Sequence, residues 1–448
     1  MQLSHLLAES KAPRYTSYPT APHFSATVTA ANYADWLRAV PPDATLSLYL
    51  HVPYCRELCR YCGCHTKAVL RAEPVARYAL SLAKEIASVA RRAGSRHTAR
   101  IHWGGGTPSI LGAGDLRAIH RALTASFELA GLEEHAIELD PRAVDGALVD
   151  ALRDIGINRA SLGVQDVSPH VQEAIGRVQP PGRVERAVAL LRGAGIVAIN
   201  FDLMYGLPKQ TLADIGRNID FVARLKPQRL ALFGYAHVPW FKPHQRLIDA
   251  ASLPGAAERL EQSETARAQL LALGYVPIGL DHFALPGDAL ALAARQGALH
   301  RNFQGYTDDA ADAFLGFGAS AIGRLPQGYV QNARDIRAYS EAADRGALAT
   351  EKGFVLTGDD RVRGAAIERL MCDLAVDLDA VAGTGASALR AEFEQRLVSI
   401  LWTDTSAMAR LAGNRIEVTQ QGRPFVRLIA SALDRHLAAG AARHSAAV

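Results

Sequence analysis

A chain of 448 residues with 49% apolar and 21% charged residues has the make-up of an ordinary globular protein large enough for more than one domain. Its formal net charge of +4 is small for that length, and the basic residues are spread along it, so neither a nucleic-acid-binding arm nor a basic membrane patch stands out. No stretch approaches the roughly eighteen apolar residues of a membrane span, and Met1-Gln-Leu-Ser-His5 lacks the regions of a signal peptide. The cytoplasm is therefore expected, with no nucleic acid and no membrane as partner.

In chain order, residues 1–45 read as an extended arm with one short helix, Ala30–Val40. The first apolar strand, Leu46–Val52, leads straight into four cysteines, Cys55, Cys59, Cys62 and Cys64; only Cys372 lies elsewhere. Further strand patterns at Arg100–Trp103, Ala136–Leu139, Arg159–Val164, Ala198–Met204 and Arg229–Tyr235 alternate with helical ones. The helical stretches are Val75–Ala93, Asp115–Phe127, Val144–Asp154, Gly182–Ala194 and Leu212–Arg224. Such alternation calls for βαβ units and a parallel sheet. Six units predict an open doubly wound sheet or a barrel short of its usual eight repeats. No G-x-G-x-x-G follows the first strand, which disfavours the dinucleotide-binding version.

Polar or glycine-rich segments follow the strand ends: His51-Val-Pro-Tyr-Cys55, Gly104-Gly-Gly-Thr-Pro108, Asp140-Pro-Arg142, Gln165-Asp166, Gly206-Leu-Pro208 and Ala236-His-Val-Pro239. Any one of them reads equally well as a plain turn. Six on the same side of a parallel sheet place an active site at that end. Past about Gly353 the pattern changes to helices (Arg361–Leu374, Ser387–Leu397), a strand at Arg415–Thr419, and a helix over Arg423–Ala438. This predicts a mainly helical, winged-helix-like domain over residues 356–448, with a packing or lid role because its helices carry few basic residues. The Ala-rich end, Ala438–Val448, is expected to fray. The expected division is 1–45, 46–355 and 356–448.

Cys55, Cys59 and Cys62 are spaced C-x3-C-x2-C. Three thiolates from one loop can hold three irons of a cubane cluster and leave the fourth iron open for a ligand. The competing reading is structural zinc, but zinc loops usually pair two knuckles far apart in sequence, whereas all four thiols here share one loop. Cys64 has two readings: a fourth thiolate, reached by bending the chain at Gly63, or a free thiol facing substrate.

The string Tyr49-Leu-His-Val-Pro-Tyr-Cys-Arg-Glu-Leu-Cys-Arg-Tyr-Cys-Gly-Cys64 resembles the cluster loop of the radical S-adenosylmethionine enzymes. More narrowly, it is similar to the oxygen-independent coproporphyrinogen III oxidases. That resemblance extends through Tyr15-Thr-Ser-Tyr-Pro-Thr20, His102-Trp-Gly-Gly-Gly-Thr-Pro108, Ile137-Glu-Leu-Asp-Pro-Arg142, Leu162-Gly-Val-Gln-Asp166 and Asp202-Leu-Met-Tyr-Gly-Leu-Pro-Lys-Gln-Thr211. It continues in Tyr235-Ala-His-Val-Pro239, Asp281-His-Phe-Ala284 and His300-Arg-Asn-Phe-Gln-Gly-Tyr306. The haem chaperones of the same superfamily typically lack both the second cysteine of Cys62-Gly-Cys64 and the Tyr-Thr-Ser-Tyr-Pro arm.

The resemblance implies an α/β fold: a partial (β/α)6 TIM-like barrel with an N-terminal arm and a C-terminal mainly helical domain closing the site. It implies one 4Fe-4S cluster on Cys55, Cys59 and Cys62, and two molecules of S-adenosylmethionine. Tyr49, Tyr61 and Glu138 would contact cofactor; Gly105, Gly106 and Thr107 would offer backbone donors and acceptors at close approach. Gln165, Arg177, Asp202, Ala236 and Ile322 match positions that bind the second S-adenosylmethionine. Read alone, Glu138 or Asp202 is equally a structural strand-end acid, and Arg177 a surface arginine. Cys64 would act in catalysis.

The implied reaction is oxidative decarboxylation of two propionates of coproporphyrinogen III to vinyl groups, giving protoporphyrinogen IX, in a monomer fed by an electron-donating protein such as flavodoxin or ferredoxin. A ligand with four propionates needs an apolar pocket with basic clamps. Arg14, Arg142, Arg301, Tyr15 and Tyr306 are available for it. His51, His237, His282 and His300 are ambiguous between structural and proton-carrying roles. The rival functions are a haem-binding chaperone on the same barrel and a structural zinc-site protein.

Overall fold

The computed structural model describes residues 7–401 and 405–437. The six expected strands are all present, as β1 Leu46–Val52, β2 Thr98–Gly105, β3 Glu134–Leu139, β4 Arg159–Gln165, β5 Ala198–Tyr205 and β6 Arg229–Gly234. They are joined by helices α1 Glu73–Ala93, α2 Ala113–Ser126, α3 Gly146–Asp154, α4 Pro181–Gly193 and α5 Leu212–Leu225; α6, Ala256–Ala272, follows. All neighbouring pairs from β1 to β6 are parallel.

The sheet runs on past these six. With β7 Val276–Ile278, β8 His282–Ala284, β9 Ala313–Phe317, β10 Ile322–Leu325, β11 Gly328–Asn332 and β12 Thr350–Val355, it has twelve strands in the order β12-β11-β10-β9-β1-β2-β3-β4-β5-β6-β8-β7. β9 joins β1 in parallel, making seven parallel strands in a row, and antiparallel strands flank them. The order does not close on itself, so the architecture is a partial barrel. Ala313-Phe-Leu-Gly-Phe317 is too short and glycine-broken to stand out as a strand in sequence.

Burial explains the strand patterns. β1 is buried throughout except at Tyr49, as expected of a strand covered on both faces. β5 alternates, with Ile199, Phe201, Leu203 and Tyr205 buried while Ala198, Asn200, Asp202 and Met204 are half-buried. The two-residue period sends the second set to the concave face. In register across that face Tyr49 pairs with His102, Glu138 with Ser161, and Gly163 with Asp202.

Toward the N-terminal end of the strands, the same face carries an ionic lattice. Arg100 bonds Asp308 and Glu133; Arg159 and Arg229 each reach both Glu134 and Asp288, with Arg159 Nε–Glu134 and Arg229 Nε–Asp288 at 2.6 Å. Burial alone would raise the Glu134 carboxyl, but Arg229, Arg159 and Arg100 outweigh it and bring it down to about 2.

The arm and the C-terminal segment meet. The helix in the arm runs from Ala30 to Arg38 behind a Thr29 capping box. Ahead of it, the Tyr15 hydroxyl donates to Asp434 at 3.0 Å, the Arg435 N–H donates to the Tyr18 hydroxyl, and Arg427 donates to the Pro13 and Ala12 carbonyls. The C-terminal segment has helices at Gly358–Asp373 and Ala386–Leu401 and a three-stranded antiparallel sheet of Ala375–Asp377, Ala409–Ala412 and Arg415–Val418.

The continuous helix expected over Arg423–Ala438 is not observed. A 3-10 turn at Arg423–Phe425 leads into a short helix, Val426–Ser431. Pro424 sits in that turn, and Arg423 and Arg427 are drawn to the carbonyls of Gly279 and of the arm, so tertiary bonds override helix propensity. Ala438–Val448 lies outside the described residues.

Removing Glu134 leaves two buried guanidiniums with Asp288 as their one shared carboxylate. Glu134→Gln should cost about 3–5 kcal/mol in urea unfolding at pH 7. Because the folded value lies below the ordinary 4.5, this stabilisation is complete above that pH and is lost as pH falls toward 2; the variant should show a flatter acid limb.

Candidate active site

The four loop cysteines sit past the C-terminal end of β1. The chain leaves Val52, forms the two-residue strand Tyr54–Cys55 paired with Lys67–Ala68, and carries Cys59, Cys62 and Cys64 between them. The Gly104–Thr107 turn after β2 fastens this loop: Gly106 N–H donates to Val52 O and Thr107 N–H to Tyr54 O, both at 2.8 Å. A Cβ on Gly106 would lie 2.6 Å from Tyr54 O and meet the Thr66 hydroxyl, so only glycine permits the approach. From the far side, the segment after β6 holds the same loop: Lys242 donates to Cys64 O at 2.7 Å, His244 to Cys62 O at 2.8 Å and Gln245 to Tyr61 O at 2.9 Å.

The sulfurs have protein donors around them. Thr107 Oγ1 donates to Cys55 Sγ at 3.3 Å, Thr66 Oγ1 lies 3.2 Å from the same atom, and Arg177 Nη1 donates to Cys59 Sγ at 3.6 Å. Cys62 is lowered to about 7, chiefly by a hydrogen bond from the Cys64 thiol, and the same bond pushes Cys64 up. Cys59 is buried and Cys64 exposed.

Beside the loop, His51 uses both ring nitrogens. Nε2 must donate to the carbonyl of His65 at 3.0 Å, so in the neutral ring Nδ1 accepts from the Tyr49 hydroxyl at 3.0 Å. Burial pushes His51 down to about 4, which keeps the ring neutral at pH 7. With its hydroxyl committed, Tyr49 offers its ring, which stacks between His102 and Phe314 at centroid distances of 6.0 and 6.2 Å. Glu138 accepts from Gly105 N–H and pairs with His102 Nε2, each at 3.2 Å.

Arg177 joins the loop to β4. It donates to Gly163 O at 2.9 Å and faces Asp140 at 3.4 Å, and Arg142 binds the same Asp140 carboxylate at 2.7 Å. Asp202 accepts from Ser161 at 3.2 Å; burial first, then the Glu138 charge, raise its carboxyl to about 7. Gln165 takes a left-handed backbone (φ 66°) at the end of β4. The next residue, Asp166, is fully buried and accepts from Ser168 N–H, Gln210 and Asn218, which fixes that turn.

The structure thus brings Cys55, Cys59, Cys62, Cys64, Tyr49, Glu138, Arg177 and Asp202 to one end of the sheet. Tyr61 packs partly buried beside the loop, and Ala236 lines a cavity just past β6. Ile322 stands on β10, beyond β9 from the others. The N–H groups of Gly105, Gly106 and Thr107 are bonded to Glu138, Val52 O and Tyr54 O. Arg142 is bound to Asp140 and Glu57, and Tyr15 and Tyr306 donate to Asp434 and Met371 O, whereas Arg14 and Arg301 line the cavity. Sequence reasoning left Asp140, His102, Thr66, Lys242 and His244 without roles. Asp140 lay inside a strand-end segment and His102 inside a string that carries the family resemblance; nothing local marked the others.

Do these residues fit an iron–sulfur cubane? Among the described residues, no three His, Cys, Asp or Glu side chains gather tightly enough to hold a single metal ion. A cubane asks for a wider set, since each thiolate binds a different iron. Hydroxyl and guanidinium donors at the sulfurs suit a thiolate-ligated, negatively charged group, so the donor set fits.

The class follows from this loop on a partial barrel: residues 49–222 match the radical SAM superfamily. Over 98% of both chains, the protein is 46% identical to the oxygen-independent coproporphyrinogen III oxidase of Bradyrhizobium diazoefficiens. It is 42% identical to that of Paracoccus denitrificans, over 100% of this chain and 99% of the relative. The structure of the Escherichia coli coproporphyrinogen III oxidase, described as a radical SAM enzyme, superposes with a TM-score of 0.89 at 36% identity, covering 95% of this chain and 98% of that one. The chain belongs to the oxygen-independent coproporphyrinogen III oxidases.

Five substitutions test the loop. Gly106→Ala should lower stability by about 1–3 kcal/mol and reduce iron content after anaerobic reconstitution, because the backbone of the loop must shift. Cys64→Ser should keep its iron while Cys55→Ser, Cys59→Ser and Cys62→Ser lose it, as read by iron and sulfide analysis with electron paramagnetic resonance.

Proposed function

We propose that this protein is an enzyme that converts coproporphyrinogen III to protoporphyrinogen IX without oxygen, by oxidative decarboxylation of two propionates. The observation that carries this reading is the full-length likeness to coproporphyrinogen III oxidases together with the three-thiol loop at the open end of the barrel. Cys55, Cys59 and Cys62 hold the 4Fe-4S cluster. The cluster and S-adenosylmethionine supply, when bound, the one-electron chemistry that no side chain offers.

The remaining steps fall to the protein's own groups. Arg177 balances negative charge at Cys59 and ties the loop to β4. Glu138, aimed by Gly105 N–H and His102, presents a carboxylate to a cationic ligand group, with the Tyr49 ring beside it. Tyr61, Gln165, Arg177, Asp202, Ala236 and Ile322 complete the assignment for two S-adenosylmethionine molecules, with Gly105, Gly106 and Thr107 shaping the approach. Cys64, exposed next to Cys62, is assigned to catalysis. We assign residues 46–355 to the barrel and its extension, with the arm (1–45) and the helical unit (356–448) excluding water from it. The protein acts as a monomer in the cytoplasm with a flavodoxin- or ferredoxin-like donor; no described helix is long and apolar enough to cross a membrane.

Under strictly anaerobic, reducing conditions, the reconstituted protein should release two carbon dioxide molecules per coproporphyrinogen III, dependent on S-adenosylmethionine. Slow S-adenosylmethionine cleavage without any carbon dioxide would overturn the substrate assignment. Stable capture of haem without turnover would favour the chaperone instead.

A further inference from the structure

Just past the ends of β5 and β6 lies a cavity lined by six arginines: Arg14, Arg259, Arg267, Arg301, Arg423 and Arg427. Two carboxylates, Asp281 and Glu264, share it, so positive charge is in excess. Ala236 is part of the wall, as are Tyr205, Gly234 and Tyr235 at the strand ends, which puts the cavity on the same side of the sheet as the cysteine loop. Leu232, Leu280 and Phe283 add apolar surface.

These arginines differ from those of the ionic lattice. Among the described residues, Arg14, Arg259, Arg267, Arg301 and Arg423 form no ion pair within 4.0 Å. Arg259 Nε, Arg267 Nε, and both Nε and Nη1 of Arg301 are buried with no hydrogen-bond partner. A buried donor left unpaired costs about 1–3 kcal/mol, and more when charged, so four around one cavity mark missing acceptors. Burial, and then Arg267, push Arg423 down to about 10; burial and Arg14 push Arg427 down to about 9. Both shifts come first from burial and then from a neighbouring guanidinium.

The cavity is built from three parts of the chain. Arg259, Ser263 and Arg267 fall at i, i+4 and i+8, on one face of α6. The arm supplies Arg14, whose guanidinium donates to Gly234 O at 3.2 Å and whose carbonyl accepts from Arg301 at 3.2 Å. The C-terminal segment supplies Arg423 and Arg427, anchored by bonds to Gly279 O and to the arm.

We propose that this arginine cavity is the substrate's carboxylate subsite: it holds propionates that are not reacting, and so sets which propionate is presented to the radical. The proposal rests on the functional reading above, which supplies a ligand carrying four carboxylates on an apolar macrocycle. Planar forked guanidiniums match carboxylates. Arg259 and Arg267 are specificity-determining residues that donate no hydrogen bond to any described residue, so replacing them breaks no bond of the fold.

The test uses the reconstituted full chain and Arg259→Gln, Arg267→Gln and the double variant, with Arg→Lys at each position as rescue. Binding is read with coproporphyrin III, the stable oxidised ring, by fluorescence titration, and turnover by carbon dioxide release. We expect each Gln variant to raise both Kd and KM about tenfold, the double variant more, and Lys to restore part of the loss. Iron content should match wild type and the melting temperature should stay level or rise. Wild-type Kd and KM in the Gln variants would overturn the subsite, as would a loss that accompanies a lowered melting temperature and is not restored by Lys. The two readings fail separately: a wild-type protein that releases no carbon dioxide sinks the function, while the porphyrin titration still decides the cavity.

Discussion

The open end of the sheet depends on one fastening: β1 runs on into the cysteine loop, and the Gly104–Thr107 turn clips that loop down by two backbone hydrogen bonds. Because both donors and both acceptors are main-chain atoms, the position of the thiols follows from the register of β1 against β2 rather than from side-chain packing. That is why the turn tolerates no Cβ at Gly106. The segment after β6 then braces the loop through three more of its carbonyls, so a loop with little regular structure is still held on both sides.

The two ends of the strands show opposite electrostatic logic. At the N-terminal end Arg100, Arg159 and Arg229 are matched by Glu133, Glu134, Asp288 and Asp308, so every guanidinium of that lattice has a carboxylate partner. At the C-terminal end the groups are left under tension. Asp202 is raised to about 7, His51 is kept neutral, and Arg259, Arg267 and Arg301 each keep a buried nitrogen without an acceptor. Unbalanced groups of this kind are what a binding site keeps and a structural core removes.

The barrel was legible because buried parallel strands are short apolar runs separated by helical periodicity. β1 matches its expected bounds, and the other five strands differ from theirs by at most two residues at either end. The cysteine loop was legible from spacing alone. The seventh parallel strand was not, since Ala313–Phe317 is short and carries a glycine. Nor was the breaking of the 423–438 segment, where Arg423 and Arg427 answer to carbonyls more than 140 residues away. Arg259 and Arg267 were invisible for a related reason: on a helix whose arginines ordinarily face water, only the tertiary arrangement turns them into a cavity wall.

The clasp between the chain's two ends has a bearing on how the protein is made. Tyr15 cannot meet Asp434, nor Arg427 the carbonyls of Ala12 and Pro13, until nearly the whole polypeptide has left the ribosome. The strand that carries the thiols is paired on one side by Thr98–Gly105 and on the other by Ala313–Phe317, so it too joins early and late parts of the chain. The two ends of the chain therefore answer to each other, and trimming either one removes the same set of bonds.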